Sequence, residues 1–340
     1  MTDGPSALAS TTGPLHSTHD LAMLDLDGVV YLGPTAVPGA ADALNAARAA
    51  GMRLAYLTNN ASRTAGDVAT HLRELGMPEL SDSDVVTSAQ AVARLMAADL
   101  PPGAAVLLIG GSGLQIPLEE NGLRCVDSLD DEPVAVVQGF HADLGWRDLA
   151  EAAYAVGSGL PWYASNTDMT VPTPRGVAPG NGSLVQAVAN ATGRTPIVAG
   201  KPESPLFDAT TARLGGDRPL MVGDRLDTDI DGAIGAGIAS LAVLTGVSTL
   251  AAIFAAGPGH RPNYVSHDLA GLGEIHPPVH VADGVARCGA ATTTLNDRGV
   301  IDVAGGEPQT TDALRAAVQL AWTTRDTSDR CALPGGTLDA

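Results

Sequence analysis

The strongest constraint on this chain's fold is a rhythm. Short runs rich in Val, Ile and Leu alternate with Ala-rich stretches of helical spacing almost from end to end. The runs are "LAMLDLD" at 21–27, "RLAYLTNN" at 53–60, "DVVTS" at 84–88, "AVLLIG" at 105–110, "VAVVQG" at 134–139, "WYASN" at 162–166, "IVAGKP" at 197–202, "PLMVGD" at 219–224, "ASLAVLTG" at 239–246 and "NYVSHDL" at 263–269. Near-continuous apolar runs of this length suit strands buried on both faces, and a helix between two of them returns the chain to lay down a parallel neighbour. The expected class is α/β, built from βα units around parallel sheet.

At 340 residues with 45% hydrophobic content, the chain is long enough for two domains. Its apolar runs, such as "AAVLLI" at 104–109, fall far short of the roughly 18 residues that a membrane span requires. No membrane partner is expected. The first 20 residues contain no Lys or Arg and no apolar core, unlike a secretory signal, and residues 1–19 read as a disordered tail. Cys125, Cys288 and Cys331 lie far apart without CxxC spacing. That argues against a disulfide framework or a zinc site, and for a cytoplasmic protein. A formal charge of −19 repels nucleic acid, because phosphate backbones are held by clustered Lys and Arg. An anionic substrate must therefore be small and met by a local positive field.

Four of the predicted strands end in polar groups: Asp25 and Asp27; Thr58, Asn59 and Asn60; Lys201; and Asp224 with Asp227 and Asp229. In an open parallel sheet, ligands bind beyond the carboxyl ends of the strands. Each group has an ordinary structural explanation. Asp-x-Asp can be a turn, "TNN" a helix cap, Lys before Pro a solvated side chain, and "GDRLDTDIDGA" a polar turn into a helix whose N-terminus favours acids. Those explanations leave unaccounted why all four occur in this order, each after a strand. Together they predict one site.

This set resembles the haloacid dehalogenase superfamily, whose members keep DxD, Ser/Thr, Lys and GDxxxxD at four successive strand ends. Here the motifs stand as "DLDGVVY", "LTNNASRT", "AGKP" and "GDRLDTDI". The longer strings are similar to the branch that holds p-nitrophenyl phosphatases, phosphoglycolate and glycerol-phosphate phosphatases and nucleotidase-like bacterial relatives, over residues 20–272. Independently of that likeness, the Asp25–Thr58 gap has room for one helix and one strand, whereas the Thr58–Lys201 gap holds a whole α/β block. The insertion is in the second gap. The resemblance implies a Rossmann-like core with a parallel sheet at 20–89 and 194–275, and a large α/β cap at 90–193. A small C-terminal α+β appendage at 276–340 lies outside it.

The same resemblance implies a Mg²⁺-dependent phosphatase acting on a small phosphorylated metabolite. Asp25 is then the nucleophile that forms an aspartyl-phosphate, splitting one hard step into two easier ones. Asp27 protonates the leaving alkoxide and later takes a proton from water. Two carboxylates two apart on an extended chain point to opposite sides, so the turn at Gly28 must re-aim Asp27. The implied metal ligands are Asp25, the backbone carbonyl of Asp27, and Asp224, with Asp229 orienting a metal-bound water or Lys201. Thr58 with the amides of Asn59 and Asn60, and Lys201, hold the phosphoryl oxygens. Asp227 and Asp231 read as solvated acids at a helix start.

The stretch "ASNTDMTVPTPRGVAPGNGSLV" at 164–185 is similar to a cap string of that branch, with Thr167 and Met169 standing where the branch has prolines. Asn166 and Asp168 are candidates for contact with substrate hydroxyls, while "PGNGS" reads first as a helix-start turn. Among substrates, glycerol 3-phosphate is favoured, because the appended region and the Ala/Gly-rich composition resemble actinobacterial glycerol-phosphate phosphatases. Phosphoglycolate follows, with nucleotide monophosphates and pyridoxal phosphate open. Rival readings are phosphoryl transfer between sugar phosphates, which the place of the insertion disfavours, a dehalogenase, and a non-catalytic phosphate-binding module. After residue 275 the texture changes to a hairpin turned at Asn296–Gly299 and a helix from "TTDALRAAVQLAWTTR", followed by a frayed tail. Leu314, Val318 and Trp322 share one helical face that needs a cover. The phosphatase core or a second subunit could supply it, and a homo-oligomer contact is favoured.

Overall fold

The structure, a computed structural model, describes residues 4–338 apart from 78, 174 and 329. The chain forms two compact units. One comprises Met1–Ala55, Leu75–Glu79 and Gly215–Ala340, the other Tyr56–Glu74 and Leu80–Leu214.

In the first unit, Tyr264–Ser266, Ala239–Val243, Pro219–Gly223 and Leu21–Asp25 lie side by side in that order, all parallel. Leu21, Ala22, Met23 and Leu24 are wholly buried, as the unbroken apolar run requires of a strand covered on both faces. Leu21 pairs with Pro219 and Leu24 with Val222. This register brings Asp25 and Asp224 out at the same edge.

Residues 4–19 correct the reading of a disordered tail. Leu15, in the short helix Leu15–Thr18, is fully buried. The Leu8 N–H donates to Gln319 Oε1 at 2.7 Å, Ala9 N–H to the Asn263 carbonyl and Thr11 N–H to the His276 carbonyl. Two isolated leucines anchor the segment, too few to register as a helical or strand period.

The C-terminal region holds more than a hairpin. Val279–Ala282, Val285–Cys288, Ala291–Leu295 and Val300–Gly305 form an antiparallel sheet, and Leu333–Pro334 adds a parallel fifth strand. The tail expected to fray is therefore paired at that point. The turn at Asn296–Gly299 is present: Asn296 Oδ1 accepts from the Arg298 and Val300 N–H groups, and Gly299 has φ +80°. Against this sheet packs the helix Thr311–Ser328. Its residues Leu314, Val318 and Trp322 are fully buried in one cluster with Ile253, Phe254, Val265 and Ile301. The face expected to meet a second subunit is thus covered by the chain itself, and it carries no argument for an oligomer.

Buried polar groups pin that helix. Trp322 Nε1 donates to the Ile253 carbonyl at 2.8 Å, and the Arg261 guanidinium lies 4.9 Å over the indole while gripping Asp326 with two nitrogens. Arg315, also fully buried, donates to the Ala9 and Pro277 carbonyls and to His276 Nδ1. His276 must then carry its proton on Nε2, which faces the Gly271 carbonyl at 3.0 Å. Burial, reinforced by the Arg315 charge, pushes the His276 pKa down to about 4.

In the second unit, Tyr56–Thr58 pairs in parallel with Val85–Thr87. A separate parallel sheet runs in the order Ile197–Val198, Trp162–Ala164, Ala135–Gln138, Ala105–Ile109, Arg124–Val126. Leu107, Val136, Ala152, Val156, Trp162 and Val185 form its core with the helices Trp146–Gly157 and Asn181–Thr192. One element differs from expectation. Ile197–Val198 pairs with Tyr163 and Ala164, so the strand leading to Lys201 extends the sheet of the inserted block. Strand patterning reports burial, and a two-residue edge strand with Ile197 half exposed holds nothing that says which sheet it joins.

Candidate active site

In the first unit, Asp25, Asp224 and Asp229 converge: each offers a carboxylate oxygen, and the three oxygens lie within 4.8 Å of one another. Asp25 closes the first strand, Asp224 follows Pro219–Gly223 directly, and Asp229 sits in a single π-turn, Leu226–Ile230. Asp224 and Asp229 are almost fully buried. Three carboxylates held this close repel one another unless a cation joins them. All-oxygen donors of this kind suit a hard divalent cation.

Backbone groups fix the cluster. Asp224 Oδ2 accepts from the Val247 N–H at 2.6 Å and its carbonyl from the Ser248 N–H at 2.9 Å. Asp229 Oδ2 accepts from the Arg225 N–H at 3.1 Å. Glycines make room. Gly28 has φ +88°, and a Cβ there would run into the Asp224 carboxylate, as would one at Gly246. Gly28 is thus required twice, for its left-handed backbone and for that close approach. Its carbonyl accepts from Thr245 Oγ1 at 2.5 Å.

Asp27 behaves differently. The chain turns tightly about buried Leu26, whose carbonyl accepts from the N–H groups of Val29, Val30 and Tyr31. Asp27 is left exposed, with the Tyr31 hydroxyl 3.5 Å from its Oδ2. The turn expected at Gly28 is there, and it sends the two acids into different surroundings. Asp227 is bound by Arg225 at 2.7 Å, which holds its carboxyl below the usual carboxylate range, and Asp231 faces His260 at 2.7 Å.

The second unit gathers Thr58, Asn59, Asn166, Asp168 and Lys201. Thr58 ends its strand with Oγ1 accepting from the Asn60 N–H at 3.1 Å. Exposed Asn60 caps a local turn, accepting from the Ser62 N–H and hydroxyl. Asn59 is buried, and its carboxamide faces Lys201: Oδ1 accepts from the Lys201 N–H at 2.8 Å and Nδ2 donates to the Lys201 carbonyl at 3.0 Å. The same Nδ2 lies 3.2 Å from Asp168 Oδ1. Asn166, a candidate for substrate contact, is buried and donates to the Asn59 carbonyl at 2.6 Å, while its Oδ1 accepts from the Asp168 N–H. In "PGNGS", Asn181 donates to the Asn166 carbonyl at 2.7 Å, and side chains at Gly180 and Gly182 would collide with the backbone of Asp168 and Thr167. The helix-start turn is what that stretch forms. The Lys201–Pro202 peptide is cis.

Sequence reasoning missed two sets of residues. Thr245, Gly246 and Val247 support Asp224 and Gly28 from the end of the Ala239–Val243 strand. Their sequence, "LTGV", offers only main-chain groups and small residues, although its place after a strand is a usable signal. The second is Asn181, whose amide serves the Asn166 carbonyl; Asn166 was singled out, but for substrate hydroxyls and not for the Asn59 carbonyl that its amide meets.

Comparison with known proteins follows the same lines. Residues 22–124 match the haloacid dehalogenase-like hydrolase family model, and residues 198–272 a second model of HAD-hydrolase-like proteins. The D-glycerol 3-phosphate phosphatase of Mycobacterium tuberculosis is 49% identical over 254 residues, covering 75% of this chain and 71% of that protein. The chain belongs to the haloacid dehalogenase-like hydrolases. An acid sugar phosphatase of Staphylococcus aureus is 37% identical over 67% of this chain and 87% of its own length. The crystal structure of the M. tuberculosis glycerol phosphate phosphatase in complex with magnesium matches with a TM-score of 0.82 at 39% identity, covering 96% of both chains. The family and the fold class are as the motifs implied: a haloacid dehalogenase-like core with parallel sheet, an α/β insertion between the second and third motifs, and a C-terminal α+β region. Among the described residues no helix is long and apolar enough to cross a membrane.

Proposed function

We propose that this chain is a Mg²⁺-dependent phosphatase that hydrolyses small phosphate monoesters through an aspartyl-phosphate on Asp25, with glycerol 3-phosphate as its preferred substrate. The observation that carries the reading is the Asp25, Asp224 and Asp229 cluster, in a chain 49% identical to a D-glycerol 3-phosphate phosphatase. We take the core to span 20–89 and the chain from the end of the Ile197–Val198 strand to 275, the cap to run from 90 through that strand, and the extension to be 276–340.

The donor set fits Mg²⁺, which takes hard oxygen ligands and keeps several waters. Asp25, Asp224 and the carbonyl of Asp27 would hold it. Asp229, bound to the Arg225 N–H, keeps the cluster in shape. Once bound, Mg²⁺ neutralises charge on the phosphoryl oxygens. Asp25 attacks phosphorus. Asp27, exposed beyond the Leu26 turn, gives its proton to the leaving alkoxide and then accepts one from the water that cleaves the acyl phosphate. Thr58, the backbone N–H of Asn59 and the Lys201 ammonium take the phosphoryl oxygens, while the Asn60 N–H, expected to join them, donates to Thr58 Oγ1.

Two results test this. In a malachite-green panel with Mg²⁺, glycerol 3-phosphate gives the highest kcat/KM and phosphoglycolate follows; a nucleotide monophosphate preferred tenfold rejects the ranking. Gly28→Ala, which drives a methyl into the Asp224 carboxylate, weakens Mg²⁺ binding at least about tenfold by isothermal titration, the order of effect expected when a group orienting a metal ligand is disturbed. An unchanged Mg²⁺ affinity would remove Asp224 from the ligand set.

A further inference from the structure

Three buried asparagines in the second unit form a ladder that ends on Lys201. Each donates its Nδ2 to the main-chain carbonyl of the next member: Asn181 to Asn166 at 2.7 Å, Asn166 to Asn59 at 2.6 Å, and Asn59 to Lys201 at 3.0 Å. At the last step Asn59 Oδ1 also accepts from the Lys201 N–H at 2.8 Å. One carboxamide thus grips the N–H and the C=O of a single residue. The partners settle which end of the amide is which, because an N–H needs an acceptor and a carbonyl a donor.

We propose that Asn59 and Asn166 are positioning residues whose task is to set Lys201, and that their side chains do not touch the phosphoryl group. Asn59 has no further side-chain N–H to offer a phosphoryl oxygen: its two amide hydrogens go to the Lys201 carbonyl and Asp168 Oδ1, while its oxygen accepts from the Lys201 N–H. Space points the same way. A Cβ at Gly200 would meet Asn59 Oδ1 at 2.7 Å and the Asn166 Cβ at 3.0 Å, so the turn before Lys201 is pressed against both asparagines. Lys201 is itself only 3% exposed. A buried ammonium on a flexible stem acts as a point charge, and its backbone must be held if that charge is to fall within a fraction of an ångström of its target. The ladder also ties Lys201 to the 165–169 loop and to the start of the Asn181–Thr192 helix, so a shift in that loop is passed to Lys201 through two amides.

This rests on Lys201 serving phosphoryl chemistry, as proposed above. The test is a double-mutant cycle on p-nitrophenyl phosphate, whose good leaving group keeps slow variants measurable. Asn59→Leu, with the same branched heavy-atom skeleton but unable to bond, lowers kcat about 100-fold with KM changed less than threefold, the scale expected for a misplacement of about 1 Å. Lys201→Met lowers kcat about 1000-fold. The double variant equals Lys201→Met alone, and Asn166→Ala shows the same loss of effect in that background. If the Asn59 and Lys201 losses multiply, Asn59 acts independently and the ladder is rejected while the role of Lys201 stands. Lys201→Met at wild-type kcat overturns both.

Discussion

Asp25→Asn abolishes turnover, by on the order of 10⁴-fold or more, while the fold and melting temperature stay close to wild type. The size follows from the role, because removing the nucleophile of a covalent mechanism leaves only what binding and electrostatics supply. The fold is spared for a local reason. Asp25 ends its strand half-buried after four wholly buried residues, and Asn keeps its volume and one carbonyl oxygen. With that shape kept at the site, the variant without Mg²⁺ is expected to melt close to wild type. The two readouts separate by mechanism: activity falls and apo stability does not. An Asp25→Asn protein that retains more than a tenth of wild-type kcat would leave the chemistry to another residue and favour a phosphate-binding role for the fold.

The second large effect concerns the C-terminal region. A chain ending at residue 275 loses the helix Thr311–Ser328, and with it the cover over Ile253, Phe254 and Val265. It also strands buried Arg261 without Asp326 and frees residues 4–11 from Gln319 and Arg315. Exposed apolar surface and an unpaired buried cation both act against folding, and the truncated protein is expected to aggregate rather than to remain an active phosphatase. Trp322→Ala is the milder form of the same test. It deletes a fully buried indole and its hydrogen bond to Ile253, at a cost of about 3–5 kcal/mol. Chemical denaturation of the full chain reads that loss. A truncated chain that stays monodisperse in light scattering, with an unchanged denaturation midpoint, would contradict it.

Sequence alone carried the β/α rhythm, the four polar strand ends and the place of the insertion, because each is a local signal: apolar runs report burial, and caps and turns do not explain why four polar ends follow four strands in this order. The residues it failed to see act through main-chain atoms or through their own smallness. Gly28 could be read as a turn, but the demand that Asp224 makes on it crosses a long stretch of sequence. Asn59 was read in the sequence for its main-chain amide, and nothing local says where its carboxamide goes. Only the structure shows its carboxamide turned onto Lys201. Leu314, Val318 and Trp322 were correctly read as a face that needs a cover. Of the two covers open to it, the core and a second subunit, the wrong one was favoured, since periodicity shows that a face is apolar and never what lies against it. The N-terminal segment failed for the opposite reason: Leu8 and Leu15 have no period to show.

The central claim, covalent catalysis through Asp25, is tested most directly by trapping the acyl phosphate. Enzyme turning over glycerol 3-phosphate with Mg²⁺ is quenched and reduced with borohydride, which converts a phosphorylated aspartate to homoserine, and the digest is sequenced by mass spectrometry. Homoserine at position 25, with Asp27 intact and no conversion without substrate, is the expected result. Steady turnover with Asp25 unmodified, or with the conversion at Asp27, would contradict it.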